Sequence, residues 1–287
     1  MTRMQLSRAP LKWKLLTKKR ASSTQGLPPG TETLAWVTNT VTLIHGERDA
    51  VLVDTFLSEK QSEELADWIV ASGKNLTTIY VTHAHGDHYF GIRLLLSRFP
   101  KAKALATAAV VEDIRQQIDP NFIKNFWEPR FPGQIPKNPV VPNVLESNVL
   151  ELEGQELLVV PLGHTDTGGT TCLHVPSIDL VVSGDCVYNN THLHLAECDA
   201  AARKEWLAAL DKVEALDPHA VVAGHGVIDP DSDPRHIGET RNYILAFNRS
   251  LESTTSAREL YDKMLALYPE RVNPGSLWSA AHAVKPS

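Results

Sequence analysis

The chain has 287 residues, 43% hydrophobic and 22% charged, which excludes a disordered or fibrous protein and allows a sizeable core. A net charge of −6 argues against a body built to hold polyanions such as nucleic acid. The balance is uneven: residues 1–20 carry seven of the 28 basic side chains (Arg3, Arg8, Lys12, Lys14, Lys18, Lys19 and Arg20) and no acid, leaving −13 on the remainder.

Residues 1–22 therefore read as a basic, flexible tail, with a transit peptide or a membrane-surface arm as the alternatives. Residues 23–287 read as a single domain with no linker dividing them. No apolar run of about 18 residues occurs, so no membrane span is expected. Three cysteines (Cys172, Cys186, Cys198) with no Cys-x-x-Cys pair fit a reducing compartment, and the expected location is the cytoplasm.

Residues 26–30 are turn-rich. Residues 34–43 and 50–54 follow as strands, rich in Val, Thr and Leu, with 46–49 as a hairpin turn. Ser58-Glu-Lys-Gln61 has the form of a capping box and opens a helix with Leu65, Trp68 and Ile69 at helical spacing, stopped at Gly73. A strand at 77–81 runs into Thr82-His-Ala-His-Gly-Asp-His88, and a helix at 90–99, a strand at 104–106 and a helix at 108–118 continue the alternation. Residues 119–143 hold six prolines, Pro120 among them, and the aromatics Phe122, Phe126, Trp127 and Phe131. They read as a long loop, either a lid with an aromatic pocket lining (Phe126, Trp127, Phe131) or a surface excursion. Strands return at 149–152, 156–160, 170–174, 180–183 and 220–223, with helices at 203–216, 236–250 and 255–267.

Three histidines and a carboxylate fall within six residues, directly after a strand: His83, His85, Asp87 and His88. Alternate residues of an extended segment point the same way, so His83 and His85 can share one cation. A turn at Gly86 lets Asp87 and His88 face a second. Such crowding is hard to satisfy without a metal, and imidazole with carboxylate suits zinc, iron or manganese. His164, Asp185 and His225 each stand just past a β-rich run beside a glycine, where strand ends give rigid mounts.

This succession, His-x-His-x-Asp-His followed by a single His, an Asp and a final His, resembles the metallo-β-lactamase superfamily over roughly residues 31–226. The resemblance implies an α/β (α+β) fold, a four-layer αββα sandwich with the metals at strand ends. It implies two divalent ions, zinc expected and iron or manganese possible by ligand type. His83, His85 and His164 would hold the first, Asp87, His88 and His225 the second, and Asp185 would bridge them. Two such ions lower the pKa of a water between them, so that hydroxide is present at neutral pH to attack a carbonyl or phosphorus centre. Asp87 would orient that nucleophile and pass a proton to the leaving group.

An Asp at position 185 is general among lactonases, glyoxalase II-like thioesterases and the RNase Z group of this superfamily, and generally absent from its true β-lactamases. Tyr188 lies three residues on, where N-acyl homoserine lactonases carry a tyrosine that contacts the substrate carbonyl; it is expected to donate to the oxyanion, or else to be a packed tyrosine. His192 is expected in the pocket and His194 in a structural role, with Cys186 as a small buried filler. The acidic body disfavours RNA cleavage. The expected reaction is hydrolysis of a lactone or other ester of a small, partly apolar molecule. The alternatives are a thioesterase, then a mononuclear-iron sulfur dioxygenase, with β-lactamase turnover only as a side activity. A non-catalytic binding module is disfavoured because no motif ligand is missing.

Overall fold

The structure is a computed structural model that describes residues 9–23, 27, 31 and 36–286. Arg3, Arg8 and all of the expected 26–30 turn except Leu27 lie outside the described residues. The first half comprises β1 (Lys12–Ala21), β2 (Trp36–His45), β3 (Asp49–Val53), α1 (Glu59–Ala71), β4 (Asn75–Tyr80), α2 (Gly86–Tyr89), α3 (Ile92–Arg98), β5 (Lys103–Ala106), α4 (Ala108–Gln117), α5 (Pro120–Phe122), α6 (Glu128–Arg130) and β6 (Asn143–Val144). The second comprises β7 (Val149–Leu152), β8 (Gln155–Gly163), β9 (Thr170–Val175), β10 (Leu180–Val182), α7 (Ala200–Glu214), β11 (Ala220–Val222), α8 (Arg235–Glu252), α9 (Ala257–Leu267) and α10 (Pro274–Val284).

The strands form two sheets, ordered β1-β2-β3-β4-β5-β6 and β11-β10-β9-β8-β7. Their side-chain alternation makes the layers. Along β3, Ala50 and Leu52 face one core, which includes Leu65 and Ile69 of α1 and Val110 and Ile114 of α4, while Val51 and Val53 face the other sheet. Along β10, Leu180 and Val182 meet that same inter-sheet core, and Val181 faces Trp206 of α7 and Phe247 of α8. Strands buried on both faces read as continuous apolar runs, as 50–53 and 180–182 do. The result is the expected αββα sandwich, with three cores between four layers.

Two expectations about local structure are corrected. Lys12–Ala21 is not a solvated tail: it is β1, antiparallel to β2 in a ten-residue register from Lys12 opposite His45 to Ala21 opposite Trp36. The lysines are what an edge strand carries to discourage further pairing. Lys18 reaches Glu64 of α1 at 2.5 Å, and the Lys19 ammonium sits 4.0 Å from the centroid of the Trp36 ring. Residues 120–130 are not loop but consecutive helical turns, α5, a wide π-type turn at Ile123–Trp127, and α6. Proline breaks a helix interior but is tolerated in the first turn, where Pro120 stands; Asp119 caps that turn by accepting the N–H groups of Asn121 and Phe122. Ser58 caps α1 as expected, accepting the Gln61 N–H at 3.2 Å. The Gln61 side chain reaches back to the cap residue, its Oε1 accepting from the Ser58 hydroxyl at 3.2 Å, while its Nε2 meets the Lys19 carbonyl.

One acidic side chain ties the sheets together at their edge. Glu153 and Gly154, both at positive φ, form the two-residue turn between β7 and β8. The Glu153 carboxylate accepts the backbone N–H groups of Glu47, Arg48 and Asp49 in the β2–β3 turn, which lowers its pKa to about 2. A carboxyl depressed in the folded state contributes stability above its ordinary pKa of 4.5 and loses it as pH falls toward 2. Glu153→Gln is therefore expected to melt below wild type at pH 7, with the gap closing between about pH 4.5 and 2; a gap constant across that window in thermal melts would refute the clamp.

Candidate metal centre

β4, β8, β10 and β11 all end at one edge of the sandwich, and the chemistry-bearing side chains follow those ends, as in open α/β sheets generally. His83 and His85 follow β4, Asp166 follows β8, Asp185 follows β10, and His225 follows β11. Gly224 makes this approach possible, since a Cβ there would collide with the Asp185 carboxylate.

Of the four groups of ligating atoms among the described residues, two meet at Asp185. In the first, atoms of His83, His85, Asp166 and Asp185 all lie within 4.8 Å of one another; in the second, atoms of Asp87, His88 and His225 do. Asp185 Oδ1 is 3.4 Å from His88 Nε2, and its Oδ2 is 2.9 Å from His225 Nε2 and 3.9 Å from His83 Nε2. Asp185 thus stands between the two histidine sets.

Each imidazole is held from behind. His88 Nδ1 lies 2.9 Å from Asp54 Oδ2, His83 Nδ1 2.9 Å from Thr82 Oγ1, and His225 Nδ1 faces the Thr38 carbonyl. Such partners fix the tautomer and aim the other nitrogen. Asp54, at the end of β3 with φ 62°, also accepts the Thr82 N–H and hydroxyl. Its role had no sequence signal beyond a carboxylate closing a strand.

The aimed atoms lack partners. His83 Nε2, His88 Nε2, His164 Nε2 and Asp185 Oδ1 are buried without a hydrogen bond. One such atom costs about 1–3 kcal/mol, and all but that of His164 belong to the two groups around Asp185. Divalent cations would satisfy them, so the donor set fits metal ions. Burial lowers the His83 pKa to about 4, leaving it neutral and able to ligate. Burial would lower His88 too, but Asp185, Asp54 and Asp87 outweigh it and raise the ring to about 10. Asp54→Asn is expected to weaken metal binding about 10–100-fold by loosening His88, measured by competition with a chromophoric chelator; unchanged affinity would dismiss the orienting role.

Asp87 is placed by β1. Its Oδ2 accepts from Arg20 at 2.8 Å and from Asn39 Nδ2 at 2.7 Å, 3.5 Å from His225 Nε2. Burial would raise its pKa, but Arg20, then His88 and His225, hold it well below the usual carboxylate range.

Of the other expected residues, Tyr188 is fully buried beside the group, its hydroxyl donating to Asp185 Oδ2 at 3.2 Å. Phe126, Trp127 and Phe131 line a cavity of about 550 Å³ with His85, Asp87 and Asp185. His164 does not join His83 and His85, and Asp166 occupies that place. His192 is not in the cavity wall: it is fully buried, with Nδ1 2.8 Å from the Tyr243 hydroxyl. The cavity residue is His194, beside Glu197 at 3.6 Å, the reverse of the expectation; alternation along 192–195 misassigned them because that segment is irregular rather than a strand. Cys186 is a buried filler as expected, and all three cysteines are free. Among the described residues no helix is long and apolar enough to cross a membrane.

The sequence profile of the metallo-beta-lactamase superfamily matches residues 34–225. The chain belongs to that superfamily, which places it among metal-dependent hydrolases. Solved structures share the fold. A metallo-beta-lactamase from Pontibacter korlensis superposes with TM-score 0.59 at 17% identity, covering 81% of this chain and 99% of that one. A metallo-beta-lactamase family protein from Thermus thermophilus gives 0.60 at 21%, covering 94% and 91%. The curated hydroxyacylglutathione hydrolase of Francisella tularensis subsp. novicida is 33% identical over 64 residues, 22% of this chain and only 24% of that enzyme.

Proposed function

We propose that the chain hydrolyses a lactone or other ester of a small, partly apolar molecule at a centre of two divalent cations. The observation that supports this reading is Asp185, placed between two imidazole sets at the foot of an aromatic-walled cavity. Bound cations would lower the pKa of water and polarise a substrate carbonyl. Asp87, anionic and held by Arg20 and Asn39, orients the attacking water and takes up its proton. The Tyr188 phenol, its pKa pushed well above the ordinary value by burial and by Asp185, stays protonated and can turn its O–H toward the developing oxyanion. Phe126, Trp127 and Phe131 exclude water and receive the apolar part of the substrate.

The short likeness to a hydroxyacylglutathione hydrolase favours a second reading, a thioester substrate. The test is pH-stat ring opening of a short- and a long-chain N-acyl homoserine lactone, with and without chelator, on metal-loaded protein. Chelator-sensitive turnover is expected, falling about ten- to a thousandfold in kcat for Tyr188→Phe. No turnover of either lactone, with turnover of an acyl-glutathione thioester, would replace the first reading by the second.

A further inference from the structure

We propose that Asp166, rather than His164, completes the first cation site, giving it two imidazoles and a carboxylate beside the shared Asp185. The proposal rests on the metal-centre reading above. Asp166 is fully buried. Its Oδ1 accepts from the Thr165 hydroxyl at 2.8 Å, and its Oδ2 faces the two histidines. That oxygen lies 2.8 Å from His85 Nδ1 and 3.7 Å from His83 Nε2.

The hydrogen bonds behind the two rings aim their free nitrogens at Asp166. The Thr82 hydroxyl donates to Asp54 Oδ2, so it can only accept from His83 Nδ1–H, which leaves a lone pair on His83 Nε2. Glu197 Oε1 lies 3.1 Å from His85 Nε2, on the other side of the ring from Asp166, so His85 Nδ1 donates to Asp166 until a cation displaces that proton, and then offers its lone pair. With that proton displaced, two imidazole lone pairs and a carboxylate oxygen would face one buried point, a donor set for a cation.

His164 Nε2 is also buried without a partner, so it is the competing ligand. Its ring, however, lies outside every group of ligating atoms within 4.8 Å among the described residues. The chain is irregular just before both residues. The β8–β9 register shifts between Pro161 and Gly163, so Leu162 is an extra residue, and Gly163 then turns the chain at φ 94°. A bulge of one residue re-aims the side chains that follow it. Two imidazoles with carboxylates are also a harder donor set than three imidazoles, and they move preference from zinc toward manganese or ferrous iron.

The experiment strips full-length wild type, Asp166→Asn and His164→Ala with chelator, then reloads each with Mn2+ or Zn2+. Metal per chain is counted by plasma mass spectrometry, and affinity is read by chelator competition. Asp166→Asn is expected to lose one equivalent or bind it more than about 100-fold more weakly, beyond the range for an orienting partner. His164→Ala is expected to keep the wild-type stoichiometry. Melting of the metal-free variants separates loss of metal from loss of fold; Asp166→Ser repeats the count on a second neutral side chain. Loss of metal from His164→Ala, or retention by both Asp166 variants, overturns the assignment. A wild type that binds no metal would overturn the metal centre itself, a separate failure.

Discussion

His85→Ala is expected to lower bound metal and reduce hydrolysis to background. Its imidazole is shared: Nδ1 faces Asp166 and Nε2 faces Glu197. Removing it leaves Asp166 Oδ2 and His83 Nε2 without the ligand between them, and it strips Glu197 of a partner beside the cavity. The loss should exceed the roughly 10–100-fold typical of an orienting residue. Metal analysis and turnover on the same preparation check it, and full activity with metal retained would end the ligand assignment. Acidification should act in the same direction. Metal must displace the proton that the surrounding carboxylates hold on His88, whose pKa is raised to about 10, so apparent affinity falls as pH falls.

Trp206→Ala is expected to destabilise the fold by about 3–5 kcal/mol, the range for emptying a buried aromatic site. Trp206 is wholly buried in the core between the second sheet and α7–α10. Its indole N–H donates to the Cys186 carbonyl at 2.8 Å, and its ring lies 6.0 Å from that of Tyr188. It therefore fills the layer and pins the turn that presents Asp185. Urea denaturation of the metal-free protein measures the first effect. A metal titration measures the second, where weaker binding than wild type is expected even in conditions that keep the variant folded. A loss below about 1 kcal/mol would mean that the neighbouring side chains close over the cavity without cost.

Most of the scaffold was legible because its signals are local. The buried runs at 50–53, 180–182 and 220–222, the Ser58 cap and the amphipathic stretches of α7, α8 and α9 depend on residues a few positions apart. The cluster from His83 to His88 was legible for the same reason, since an extended run followed by a glycine turn dictates its own geometry. β1 was not: a lysine-rich strand looks like a tail until β2 supplies its hydrogen bonds and Arg20 is seen to meet Asp87. α5 and α6 were hidden by prolines whose helical positions only the structure reveals.

The sequence by itself determined the donor chemistry, the order of its pieces and the layered class of fold, because residue types and short-range periodicity set these. Only the tertiary structure decided which donors converge. Asp166 lies with His83 and His85 where His164 does not, β3 sets Asp54 behind His88, and the irregular segment after Tyr188 exchanges His192 for His194 in the cavity wall. The physical reason is that side-chain direction at a strand end depends on register, and register is set by partners far away in the chain.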